Sequence, residues 1–166
     1  TKPFGSLRKA LKVRLREVLQ HARAQHGGPV CIVAHSLGTI IALSALDDWA
    51  RDEDGPWVDL VTLGSPFDAL VRLFPHLYGR ARKRGGWTLP AVRRWLNLYR
   101  AGDPIGRRLD FAWAGDPPPD LPENEAVGNG GHLDYFNDTA IAARLARWLR
   151  PAHPPAAPSA TEGTPA

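Results

Sequence analysis

The sequence predicts an α/β protein in which a mainly parallel sheet is flanked by helices. Short, mostly apolar runs, of which residues 30–34 are wholly apolar and rich in β-branched side chains, alternate along the chain with stretches whose apolar residues recur at helical spacing. Such runs are typical of strands covered on both faces, and their alternation with helices is typical of parallel sheets. The 166 residues, of which 43% are hydrophobic and 23% charged, suffice for one domain with a substantial core.

The N-terminal part is predicted to run helix, strand, helix. Residues 6–25 carry apolar side chains at helical spacing, with Ser6 as the predicted N-cap and two glycines at 27–28 to end the helix. The run Val-Cys-Ile-Val-Ala at 30–34 predicts the first strand. From Leu37 the helical pattern returns, and the polar stretch Arg-Asp-Glu-Asp-Gly-Pro ends it.

The C-terminal part is predicted to add further strands and a last helix. Residues 57–64 and 95–101 predict the second and third strands, and residues 109–114 suggest a short fourth. Asp138 is a favourable N-cap for the last helix. The apolar residues that this helix would bury are Ile141, Leu145, Trp148 and Leu149.

Residues 1–150 are therefore predicted to form the folded domain. The segment 151–166 is dense in Pro and Ala and lacks apolar periodicity, so we expect a disordered tail that cannot offset the entropy lost on ordering. The single cysteine, Cys31, excludes an internal disulfide and is expected to be a small buried hydrophobe. No apolar run approaches the roughly 18 residues of a membrane-spanning helix.

The formal net charge of +4 is concentrated in two basic runs, residues 7–17 and 79–86. Runs of this kind contact phosphates or anionic lipid headgroups in some proteins and form solvated faces in most. No aromatic interleaving and no nucleic-acid-binding motif accompanies them, so we expect no nucleic-acid partner. Peripheral contact with a membrane stays open, and with it a cytoplasmic or membrane-associated location.

The stretch Ala-His-Ser-Leu-Gly places Ser36 between the first strand and the following helix. A tight turn there would expose the hydroxyl beside the free N–H groups and the positive dipole end of the helix. The residues two positions away on either side, Ala34 and Gly38, are small enough for the close approach of strand and helix. The alternative is an ordinary helix-capping serine. A nucleophilic hydroxyl would also need a base, a group that orients the base, and donors for an oxyanion.

This stretch resembles the nucleophile elbow G-x-S-x-G of the α/β-hydrolase superfamily, with Ala34 in place of the first Gly. Members of that family carry Ser, then Asp or Glu, then His along the chain, and Asp103 in "YRAGDPIG" and His132 in "GNGGHLDYF" follow this order. The segment "LVTLGSPF" at 60–67 resembles the strand after the elbow in lipase-like members. The resemblance covers residues 30–150 and extends to poorly characterised bacterial hydrolase domains, some of them attached to membrane-helix regions.

The resemblance implies a lipase- or esterase-like serine hydrolase that needs no cofactor and no metal. Ser36 would attack an acyl carbonyl, and His132 would act first as base and then as acid. Asp103 would orient the imidazole, and the backbone N–H of Leu37 would be one oxyanion donor. "GDPIG" is also a good turn sequence, and Asp68 after the second strand is an alternative acid.

Residues 67–90 form an insertion that begins with an apolar side and continues into the basic run 79–86. The insertion is either a helix packed on the sheet or a cap over the site, and a cap would favour an ester or lipid-like small-molecule substrate. The residues expected to line the substrate pocket are His35, Phe67, Leu70 and Phe74.

One part of the implied fold is missing from the predicted element order. Members of the family supply a second oxyanion donor from a loop after an earlier strand, yet only a helix precedes the strand that leads to Ser36. The chain also contains no Met. We therefore expect a C-terminal portion of the fold, whose N-terminal strands belong to an upstream part of the same polypeptide, and weak activity or aggregation of this portion alone. A non-catalytic binding module or a membrane-surface interaction domain are the alternatives.

Overall fold

The computed structural model describes residues 3–26, 30–49, 58–74, 89, 91–110 and 122–150. Contacts divide the chain into two compact units, Thr1–Tyr135 and Phe136–Ala166.

A four-stranded parallel sheet is the centre of the first unit. Its strands are β1 (Val30–His35), β2 (Val58–Leu63), β3 (Val92–Tyr99) and β4 (Glu123–Ala126), and they lie side by side in chain order. Every neighbouring pair is parallel. Parallel neighbours need a crossover between them, and helical segments lie between β1 and β2 and between β2 and β3. The α/β class and the parallel sheet predicted from the sequence are confirmed.

The described residues of the first unit form three α-helices: α1 (Pro3–His26), α2 (Leu37–Trp49) and α3 (Phe67–Leu73). The helix α1 contacts α2, and both contact β1. Side chains from all three helices join one face of the sheet in a single apolar core, whose sheet residues include Ile32, Leu60 and Trp95. The predicted helices over 6–25 and from Leu37 are thus confirmed, although α1 begins earlier than its expected N-cap.

The strand β1 differs from the expectation that both of its faces are covered. Ile32 and Ala34 are buried, but Val33, on the opposite face, is 42% exposed. Its neighbours across the sheet, Val61 and Leu96, are 0% exposed. Coverage of this face is therefore incomplete at β1, which is one of the two edge strands of this sheet.

The fourth strand lies in a different place from the one predicted. Leu109 and Asp110 belong to no strand, residues 111–114 lie outside the described part, and β4 is formed by Glu123–Ala126. The side chain of Asn124 makes the connection: its Oδ1 accepts from the N–H of Leu109 and its Nδ2 donates to the carbonyl of Leu109, both at 3.0 Å. An amide side chain thus makes the pair of bonds that another strand would make with residue 109.

A row of polar side chains crosses three strands at the level of Ala34 in β1. Thr62 donates to Asn97 Oδ1 at 2.8 Å, and Asn97 Nδ2 donates to Asn124 Oδ1 at 2.8 Å. The indole of Trp95 donates to Thr62 Oγ1 at 3.0 Å. Because Thr62 and Asn97 are fully buried, these bonds satisfy groups that would otherwise be desolvated without partners.

The second unit contains the helix α4 (Thr139–Leu149). Asp138 is its N-cap, as predicted, and accepts from the N–H groups of Ala140 and Ile141 at 2.9 and 3.4 Å. Ile141 is buried, but Leu149 is 42% exposed, so the predicted burial of Leu149 is wrong. The expected disordered tail, residues 151–166, lies outside the described residues.

Two expectations from the sequence concern membrane-spanning helices and the single cysteine. None of the helices in the described ranges combines the length and apolar character needed to cross a membrane. Cys31 is a free thiol of intermediate burial, and its burial, with the nearby Asp59 carboxylate, raises the pKa of the thiol to about 11. The thiol is therefore uncharged at neutral pH and weakly nucleophilic.

Candidate active site

Ser36 alone forms the turn between β1 and α2. In the described part of the chain it is the one non-glycine residue with a positive φ, at 52°. Its N–H donates to the carbonyl of Leu63 at 3.1 Å, and its carbonyl accepts from the N–H and the hydroxyl of Thr39 at 3.0 and 2.7 Å. A left-handed conformation costs an L-residue about 1–3 kcal/mol and persists only where surrounding contacts impose it. This strained turn presents the serine side chain beyond the end of the strand.

The structure brings His132 and Asp103 to this serine. The Nε2 atom of His132 lies 2.8 Å from the Oγ of Ser36, and its Nδ1 atom lies 2.8 Å from the Oδ2 of Asp103. Asp103 follows β3 and His132 follows β4, so the three residues come from the ends of different parallel strands. Because a carboxylate only accepts, Nδ1 carries a proton, and in the neutral form of the imidazole Nε2 is then the acceptor that faces the serine hydroxyl.

The carboxylate of Asp103 is fully buried and surrounded by donors. Its Oδ1 accepts from the N–H of Ile105 at 2.8 Å, and the N–H of Gly106 is a further donor. Burial by itself would raise the pKa of Asp103, but the bonds from Gly106, His132, Ile105 and Tyr135 outweigh it and hold the pKa below its usual value. The acid is therefore ionised at neutral pH.

Tyr135 is a member of this cluster that the sequence did not indicate. Its buried hydroxyl donates to Asp103 Oδ2 at 3.1 Å and accepts from the N–H of Arg100 at 3.0 Å. Burial and the Asp103 carboxylate raise the pKa of the phenol, so it stays protonated and remains a donor. Its position three residues after His132, in the 3₁₀ turn Asp134–Phe136, is the signal that could have found it.

His35, the residue before Ser36, contacts both the backbone and the ring of His132. Its Nε2 atom is 2.8 Å from the backbone carbonyl of His132, and the two ring centroids are 4.9 Å apart. The guanidinium of Arg100 donates to the carbonyl of Asn129 in the same loop. The loop that carries His132 is thus bound at Asn129, at His132 itself and at the following turn.

The other residues expected to line a substrate pocket lie further from these groups. Phe67 is 1% exposed within the apolar core, Leu70 packs against that core, and Phe74 is 42% exposed. The insertion residues 75–88, with the basic run, lie outside the described part, so the cap remains a prediction. An open cavity of about 570 Å³ beside α3 and the end of β3 is lined by none of Ser36, Asp103 and His132.

The alternative acid, Asp68, is engaged elsewhere. Its Oδ2 accepts from the Nε of Arg72 at 2.8 Å, one turn along α3. The carboxylate at hydrogen-bond distance from His132 is that of Asp103.

The predicted oxyanion donor, Leu37, is the first residue of α2. An N–H at this position has no carbonyl partner within its own helix, and the positive end of the helix dipole reinforces it. The oxyanion of a tetrahedral intermediate formed on Ser36 Oγ could accept a hydrogen bond from this N–H.

Comparisons with protein-family models and with curated proteins give no significant match to this chain. The α/β class and the contacts among Ser36, His132 and Asp103 therefore come from the chain's own sequence and structure.

Proposed function

We propose that this chain is a serine hydrolase of the α/β-hydrolase type, which cleaves an ester or a related acyl bond. The observation that supports this most directly is the pair of 2.8 Å contacts from Ser36 Oγ to His132 and from His132 to Asp103. A neutral imidazole between a hydroxyl and a buried carboxylate is the arrangement that activates a serine nucleophile.

In the first half of the reaction, Ser36 Oγ attacks the carbonyl carbon of the substrate and its proton passes to His132 Nε2. The imidazolium that forms is stabilised by the ionised Asp103. The negative charge on the carbonyl oxygen is stabilised by the N–H of Leu37. The tetrahedral intermediate then collapses, His132 returns the proton to the leaving alcohol, and an acyl group remains on Ser36.

In the second half, a water molecule takes the place of the leaving alcohol. His132 Nε2 accepts a proton from this water as its oxygen attacks the acyl carbon. Collapse of the second intermediate returns that proton to Ser36 Oγ and releases the carboxylic acid. Each proton that His132 accepts is given back, so the site returns to its starting state.

The order and placement of the residues favour the α/β-hydrolase type over other serine hydrolases. Ser36 follows one strand of a parallel sheet, Asp103 follows a later strand, and His132 follows the last described strand. Ligands of open parallel sheets bind at the carboxyl ends of the strands, where these three residues converge. The positive φ of Ser36 is the strained strand-to-helix turn that this type of nucleophile requires.

A fluorophosphonate probe tests the proposal, because it modifies only an activated serine. We expect labelling of the chain and loss of labelling in Ser36→Ala and in His132→Ala. The control is Ser44→Ala, which removes a buried hydroxyl from α2 and should leave labelling intact. A chain that is folded by circular dichroism and is not labelled would instead be a non-catalytic binding module.

A further inference from the structure

The residue before the nucleophile makes an unusual contact with the base. His35 Nε2 and the backbone carbonyl oxygen of His132 are 2.8 Å apart, although the two residues are separated by 97 positions in the chain. Since a carbonyl oxygen only accepts, His35 carries a proton on Nε2 and donates it. The two rings also face each other, with centroids 4.9 Å apart and planes inclined by 34°.

This bond leaves the catalytic nitrogens of His132 untouched. It uses the backbone carbonyl, while Nε2 and Nδ1 remain directed at Ser36 and Asp103. The consecutive residues His35 and Ser36 therefore hold His132 at two points, one on its backbone and one on its ring. Two points of attachment fix the orientation of the imidazole as well as its distance.

The loop around His132 is exposed and rich in glycine, and besides the bond from His35 it is held by the guanidinium of Arg100 on the carbonyl of Asn129 and by a bond from the N–H of Gly131 to the carboxylate of Asp134. Residues 128–131 are exposed and include three glycines, and Leu133 is 76% exposed. Glycine-rich exposed segments lose much conformational entropy on ordering and open locally more easily than core segments. A displacement of about 1 Å in a catalytic group can reduce the rate about 100-fold. A specific bond to this loop therefore bears directly on the rate of proton transfer.

We propose that His35 is a positioning residue for the base His132, acting through the bond from its Nε2–H to the His132 carbonyl. This inference rests on the proposed hydrolase function. It assigns to His35 a role in the acylation step, separate from contact with the substrate. The role requires only an N–H donor at the position of Nε2, so any side chain that supplies one there can substitute for histidine.

A pair of substitutions of similar size separates the hydrogen bond from packing. Glutamine places an amide N–H near the position of the imidazole Nε2, whereas methionine has no donor. In His35→Met we expect the rate of fluorophosphonate labelling, and the kcat for a p-nitrophenyl ester, to fall about tenfold with little change in KM. In His35→Gln we expect both rates to stay within about threefold of the parent chain. Thermal unfolding of each variant shows whether the fold is retained.

The control is His21→Met, the same substitution at an exposed position of α1, which should leave both rates unchanged. If His35→Met does not fold, His35→Asn replaces it, because its shorter amide cannot reach the carbonyl, and the same tenfold fall is expected. If His35→Gln and His35→Met react at equal rates, His35 is not a positioning residue, while the proposed hydrolase function still stands. An unlabelled but folded parent chain overturns the hydrolase function and the role of His35 with it.

Discussion

The loops that carry Asp103 and His132 are built in opposite ways. The carboxylate of Asp103 is fully buried and accepts from backbone N–H groups of its own loop. The loop of His132 is exposed over residues 128–131 and is bound by side chains from other parts of the chain. The position of Asp103 therefore depends on the stability of the fold, and the position of His132 depends on a few specific contacts. Substitutions in the two loops should separate these dependences.

Removal of the charge on the acid should have the largest effect. In Asp103→Asn the amide nitrogen would donate to His132 Nδ1, so that the proton sits on Nε2 and the imidazole cannot accept from Ser36. We expect kcat for ester hydrolysis to fall about 10⁴-fold. The control is Asp68→Asn, which breaks the pair with Arg72 and should leave kcat unchanged. A comparable fall in the control would mean that Asp68 is the acid.

Crowding of the loop around Asp103 should reduce stability most. A Cβ atom at Gly106 would overlap the backbone of Gly64, so that one of the two buried segments must move. We expect Gly106→Ala to lower the free energy of unfolding by about 3 kcal/mol, measured in urea, and activity to fall with it. Gly102→Ala, where a Cβ meets nothing within 4 Å, should change neither. Full stability of Gly106→Ala would contradict the closed structure of this loop.

The same kind of substitution in the loop of His132 should affect the rate more than the stability. Gly130 has a φ of 147°, and a Cβ there would overlap the guanidinium of Arg100. We expect Gly130→Ala to reduce kcat about tenfold by displacing the loop, while the free energy of unfolding changes by only about 1 kcal/mol. At Gly128 a Cβ meets nothing within 4 Å, so Gly128→Ala is the matched control. An equal rate in both variants would show that the loop tolerates displacement.

The smallest effect is expected from Tyr135→Phe, and it should depend on pH. The phenol donates to Asp103, and the pKa of this carboxyl in the folded chain lies below its usual value. The ionised carboxylate therefore adds to the free energy of unfolding in full above a pH of about 4, and this addition is lost as the pH falls through the pKa of the folded state. At pH 7 we expect a loss of about 1 kcal/mol in the free energy of unfolding. The loss should shrink in acid, as urea unfolding at several pH values would measure. A loss independent of pH would mean that the bond to the carboxylate contributes nothing.

Local sequence signals were sufficient for much of the fold and for part of the site. A buried strand requires an apolar run, and its close approach to a helix requires small residues around Ser36. Both signals lie within a few consecutive residues of the sequence. The assignment of Asp103 and His132 rests on the family resemblance. At the level of the sequence Asp68 stays an alternative, because chain order does not reveal which of the two carboxylates approaches His132.

The features that escaped sequence reasoning depend on contacts between distant residues. The strand β4 (Glu-Asn-Glu-Ala) has no apolar alternation to mark it, and its side-chain bond to the neighbouring strand runs from Asn97 to Asn124. Tyr135 reaches Asp103, and His35 reaches the backbone of His132, only after the strands have assembled. No periodicity records such bonds, so they could not be read from the sequence.

The polar row formed by Thr62, Asn97 and Asn124 has a consequence for the accuracy of the site. A slip of one position between two strands would turn an amide toward the wrong side and leave it desolvated without its partner. The row therefore fixes the register of β2, β3 and β4, and with it the positions of the strand ends from which the segments carrying Asp103 and His132 begin. A polar layer inside the sheet thus protects the geometry of a reaction that takes place beyond its edge.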